Sequence, residues 1–85
     1  MKVTICGPNL NDQSKGTFHV HAEGCADLKR NAQREPEYRH GWTIEAASRD
    51  EVGDEIYADH IAEGSMRPGE GADDCHFFPC CDGLA

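Results

Sequence analysis

Two short stretches carry seven of the ten cysteine and histidine side chains, the residues best suited to metal or nucleophilic chemistry: "TFHVHAEGC", residues 17–25, and "DCHFFPCC", residues 74–81. Each contains an H-x₃-C pair, His21 with Cys25 and His76 with Cys80. Zinc takes four ligands of this kind in near-tetrahedral geometry, so the candidate set is His21, Cys25, His76 and Cys80, with His19, Cys81 and His60 as substitutes. Neither half has the C-x₂-C spacing of the common zinc motifs. In an extended strand His76 and Cys80 share a face but lie roughly 13 Å apart, at ~3.3 Å per residue. Only a turn after Phe78, which Pro79 favours, brings Cys80 or Cys81 back to the same ion.

Three other chemistries use the same residues. A Cys25–Cys80 or Cys25–Cys81 disulfide is one. A Cys25 nucleophile with His21 or His76 as base and Asp74 as orienter is another. A catalytic zinc with an open position is the third, but no general base is indicated for it. Cys6, Cys25 and Cys75 also suit the core as small apolar side chains. With no coherent catalytic set, the residues point away from an enzyme, and the expectation is five free thiols and no cofactor, with zinc as the alternative.

These segments must be positioned by a small fold. Eighty-five residues allow one domain, residues 1–85, with one modest core, a size at which a metal, a disulfide or a partner often supplements the packing. The mean hydropathy is −0.69, yet the apolar residues recur in short patterned runs that specify folding. "KVTIC" reads as an edge strand, "GPNLNDQSKG" as a hairpin connection, and "TFHVHA" as a strand with Phe18, Val20 and Ala22 opposite Thr17, His19 and His21. A helix over 25–34 places Cys25 at its N-terminus, where free backbone N–H groups stabilise a thiolate. "WTIEAA" gives a further strand. Ser48 with Glu51 forms a capping box that starts a helix running to Gly64. Residues 65–73 form a flexible glycine-rich loop, and "DCHFFPC" is the last strand. The order β-β-α-β-α-β predicts a small α/β or α+β domain, a three- or four-stranded sheet with two helices.

The second helix sets Val52, Ile56, Tyr57, His60 and Ile61 on one stripe, which predicts a buried His60. Glu51, Asp54, Glu55 and Asp59, with Glu63 at the margin, form an acidic ridge on the other side. The formal net charge is −8, and residues 49–85 hold ten acids against Arg49 and Arg67. Such a field disfavours nucleic acid and anionic lipid and suits a protein partner with a basic surface. No apolar run is long enough to cross a bilayer and no leader-like stretch precedes residue 10, so the expected location is cytoplasmic. Binding and modulation of another protein through the ridge is the function expected first, and a structural-zinc module the alternative.

The "FHVHAEGC" start and the "HFFPCC" end resemble small accessory proteins of actinobacteriophages. That resemblance implies expression in an infected bacterium and a host protein as partner, and it transfers no site residues.

Overall fold

The computed structural model describes residues 1–85 and contains four strands: β1 (Lys2–Cys6), β2 (Phe18–Ala22), β3 (Trp42–Glu45) and β4 (Cys75–Phe77). They form one mixed sheet in the order β3-β1-β2-β4. β1 and β2 are an antiparallel hairpin joined by the turn-rich residues 7–17, with Ile5 opposite Val20 and Cys6 opposite His19. β3 adds antiparallel to the other side of β1. β1 is therefore central, not the edge strand its turn-flanked start suggests. Its Val3, Ile5 and Cys6 are wholly buried, because β3 returns across the sheet to the free side of the hairpin. β4 pairs parallel to β2, placing His76 beside His19 and Phe77 beside Val20.

The period of two along β2 divides its residues between two covered faces. On one face Val3, Ile5, Phe18 and Val20 pack with Ala46, Val52, Cys75, Cys81 and Leu84 as the main core. On the other, Cys6 joins Leu10 and Tyr38, flanked by Leu28 and Ala32. The second face is covered by helix α1 (Ala26–Arg34) and the 3-10 turn Pro36–His40. His19 and His21 lie on that face and are 9% and 0% exposed, so the polar side of β2 is as closed as the apolar side.

The first face is covered from α2 (Arg49–Ile56) and the 3-10 turn Glu70–Asp74. Ser48 caps α2 by accepting from Glu51 N–H at 3.2 Å, while the Glu51 carboxylate accepts from Ala47 N–H at 2.7 Å. The capping box expected from sequence thus forms, with its return arm one residue earlier. Gly53 and Gly71 let the two segments meet at backbone distance: a Cβ on Gly53 would lie 2.2 Å from Ala72 N.

The helix expected to run unbroken to Gly64 is interrupted at Tyr57 (φ −110°, ψ 28°) and resumes as α3 (Ala58–Glu63). Tyr57 is tied inward by its hydroxyl, which donates to Asp74, and by an edge-to-face contact with Phe18. The chain beyond it turns away from the core. α3 consequently buries none of its residues, and His60 is exposed rather than buried, its ring lying edge-on to Tyr57. A single helical phase does not survive the break, so the stripe that begins at Val52 does not carry His60 into the core. No helix is long and apolar enough to cross a membrane.

Candidate metal centre

The last residue pair of β2, the start of α1 and the 3-10 turn Pro79–Cys81 meet at one corner of the sheet. His21 comes from the end of β2. Ala22 O accepts from Cys25 N–H at 3.2 Å, a tight turn that sets Cys25 as the N-cap of α1 four residues after His21. β4 ends at Phe77, and Pro79 starts the turn that brings Cys80 back. This is the bend after Phe78 that the spacing demands. His21, Cys25 and Cys80 offer ligand atoms that all lie within 4.8 Å of one another.

His76, the fourth residue of the expected set, stays on β4 beside His19, with ring centroids 5.7 Å apart, and is not among the three. The reason is the one that makes Cys80 available: the turn reverses the chain, so residues that alternate on an extended strand no longer share a location. Of the substitutes, Cys81 is fully buried in the main core with its thiol directed to Val20 O at 3.5 Å, His19 is paired elsewhere, and His60 is on the exposed α3. Asp74 does not orient a histidine. Its carboxylate accepts from the Thr17 and Tyr57 hydroxyls, so the Cys-His-Asp arrangement is not assembled.

The geometry of the three-residue cluster suits a soft divalent ion. His21 Nδ1 is 3.6 Å from Cys25 Sγ, close to the ~3.6 Å N···S edge of a tetrahedron with Zn–N and Zn–S bonds of about 2.1 and 2.3 Å. An S–H···N bond has a similar length, so the case rests on what surrounds the atoms. Cys25 Sγ accepts from Leu28 N–H at 3.3 Å, and Cys80 Sγ accepts from Ala22 N–H at 3.2 Å. Both sulfurs thus receive backbone donors, which orient and stabilise a metal-bound thiolate.

The second nitrogen of His21 is also held. His21 Nε2 is 3.2 Å from the Tyr38 hydroxyl, which is 2.6 Å from His19 Nδ1. Burial pushes the Tyr38 phenol well above its usual pKa, so one hydrogen serves both bonds. His19 Nε2 is buried without a hydrogen-bond partner, and burial, followed by the proximity of His76, lowers the pKa of this ring. With the His19 proton on Nε2, Tyr38 would donate to His19 Nδ1 and accept from His21 Nε2–H. His21 Nδ1 would then present a lone pair to the two sulfurs, the tautomer and outer hydrogen bond that a metal-ligating histidine requires. Phe78 stacks on the His21 ring with centroids 3.9 Å apart.

Charge states at this corner run against an activated nucleophile in the metal-free protein. Burial, with the proximity of His19 and His76, lowers His21 to about 4, and burial raises the Cys25 thiol. Cys25 and His21 therefore sit as neutral thiol and neutral imidazole, the opposite of the thiolate–imidazolium pair that attacks carbonyls. Cys6, Cys75 and Cys81 are pushed by burial to about 11, 12 and 12, which makes them inert core thiols.

Beside the centre, beyond Tyr38 and Phe78, lies a shallow cleft of about 280 Å³ lined among others by Asp12, Lys15, His19, Arg34 and His76. The residues of the expected acidic ridge are elsewhere: Glu51, Glu55, Asp59 and Glu63 are exposed, and Asp54 is half-buried with its carboxylate accepting from Gly69 N–H at 2.6 Å. No family model, curated protein or solved structure matches the chain.

Proposed function

We propose that this protein is a small metal-binding module that holds one zinc-class ion through His21, Cys25 and Cys80. The observation that carries the reading is the convergence of three ligand atoms from three separate elements within 4.8 Å. The backbone donors on both sulfurs and the Tyr38 bridge behind His21 prepare each ligand for the ion. The ion has a structural role, because it ties the end of β2, the start of α1 and the C-terminal turn in a chain whose small size limits its core. Elemental analysis of protein purified without added metal tests this: close to one equivalent is expected, falling to none in Cys25→Ser and Cys80→Ser. A wild-type protein that neither retains zinc nor takes up Co²⁺ overturns the reading.

A second reading, binding of a basic protein surface in the bacterial cytoplasm, is supported by the exposure of Glu51, Glu55, Asp59 and Glu63. The salt bridges of the chain, Met1 with Glu45 and Arg30 with Asp27, involve none of them. Salt-sensitive retention of a bacterial protein by the wild type, lost when Glu55, Asp59 and Glu63 are all changed to Lys, is the expected result. Equal retention by both forms removes it.

A further inference from the structure

We infer that the metal held by His21, Cys25 and Cys80 keeps a fourth coordination position open, and that this position accepts a thiolate from outside the chain. The inference rests on the metal-binding reading and adds to it the ligand class that completes the centre. Three protein ligands leave one vertex of a tetrahedral ion unassigned. The nearest additional donor in sequence is Cys81, whose thiol adjoins that of Cys80 but is not among the converging ligand atoms, because its side chain is built into the main core. It is fully buried among Val3, Ile5, Phe18, Val20, Val52 and Leu84, with its thiol directed to Val20 O. Swinging it to the ion would empty a core site and break that contact. The other imidazoles on this face, His19 and His76, pack against each other and are not among the converging ligand atoms.

The corner itself is accessible. Cys25 and Cys80 are both half-buried, in contrast to the enclosed His21, Cys6 and Cys81, so a ligand could approach the two sulfurs from solvent. A divalent ion with two thiolates and a neutral imidazole carries no net charge and remains a soft Lewis acid, which prefers a further sulfur donor to a hard anion. With the ion bound, an incoming thiol would give its proton to solvent and add one metal–sulfur bond in place of any water held there. A second copy of the chain is a poor source, since Cys6, Cys75 and Cys81 are buried and Cys25 and Cys80 are ligands. The chemistry fits a low-molecular-weight thiol.

Absorption spectroscopy of the Co²⁺-loaded full-length protein tests the inference, with 2-mercaptoethanol and azide as the added probes. The expected result is a thiolate-to-cobalt charge-transfer band that rises about 1.5-fold, from two thiolates to three, as one equivalent of 2-mercaptoethanol binds, with azide weaker. Cys81→Ser should show the same starting spectrum and the same response. A spectrum unmoved by 2-mercaptoethanol, tighter binding of azide, or a starting band that loses a third of its intensity in Cys81→Ser each overturns the open thiolate position while leaving the metal site intact. Absence of any cobalt spectrum instead removes the underlying metal reading.

Discussion

At the scale of single residues, Tyr38 is the position where packing and site chemistry are most closely joined. Its ring belongs to the second core with Cys6 and Leu10, and its hydroxyl connects His19 to His21. Tyr38→Phe keeps the packing and leaves two buried imidazole nitrogens without their shared partner. Loss of stability of about 1–3 kcal/mol is expected, from the desolvation of those unpaired groups. Metal affinity should also fall by roughly 10–100-fold, the usual effect of removing an outer hydrogen bond from a ligating histidine. Chelator competition reads the second effect and urea unfolding of the metal-free protein reads the first. A variant that loses stability without losing affinity would show that the bridge serves packing alone. Cys6→Ser supplies the contrast, since Cys6 is fully buried but contributes no ligand atom: it should destabilise the fold and leave metal stoichiometry at one.

At the scale of elements, what the sequence makes legible is what local pattern decides. The period of two in "FHVHA" places His19 and His21 on one face, the Ser48–Glu51 spacing marks the start of α2, and Cys25 at the head of α1 follows from Gly24 and the helical run after it. The turn at Pro79 is legible as well, and with it the approach of Cys80 to His21. Pairings between distant segments are not. The central place of β1 depends on which strand returns to its free edge, and the exclusion of His76 depends on the register of β4 against β2. The break at Tyr57 is set by a contact with residues 71–74, far along the chain. A mid-helix glycine was the available signal there. Gly53 has no reason to replace alanine in an isolated helix, where it costs about 1 kcal/mol, so it marks a close approach. Gly53→Ala would put a methyl group against the Ala72 backbone. Because neither segment is a flexible side-chain end, the expected cost is about 1–3 kcal/mol or more, in spite of the gain in helix propensity. Its measure is the urea midpoint. An unchanged or raised midpoint would mean that α2 and the Glu70–Asp74 turn are not packed at backbone distance.

At the scale of the whole molecule, acid stability follows from burying imidazoles on a sheet face where the nearby carboxylates, Asp12 and Glu35, do not outweigh the desolvation. His21 is lowered from its usual 6.5 to about 4, chiefly by burial, and burial lowers His19 and His76 as well. Between those values the unfolded chain takes up protons that the folded chain refuses, so the folded state loses ground as pH falls. The histidine contribution is intact above about 6.5 and is lost progressively as pH falls toward 4. Asp12 and Asp74, held below the usual carboxylate range largely by hydrogen bonds, act in the same direction at still lower pH. The surplus of acidic residues works the other way, since protonating carboxylates relieves the repulsion of a chain with net charge −8. Ordinary carboxylates titrate near 4, below most of the histidine window, so the histidines decide the sign there. The melting temperature of the metal-free protein should therefore be flat above pH 6.5 and fall steadily between pH 6.5 and 4. Added salt should leave that slope in place, because screening acts on exposed charges far more than on buried rings. Loading with zinc should raise the melting temperature at neutral pH and steepen the acid loss, since protons compete with the ion for Cys25, Cys80 and His21. A melting temperature of the metal-free protein that rises or stays level from pH 6.5 to 5 would contradict the burial of these rings. Identical curves with and without zinc would contradict the coupling of the ion to the fold.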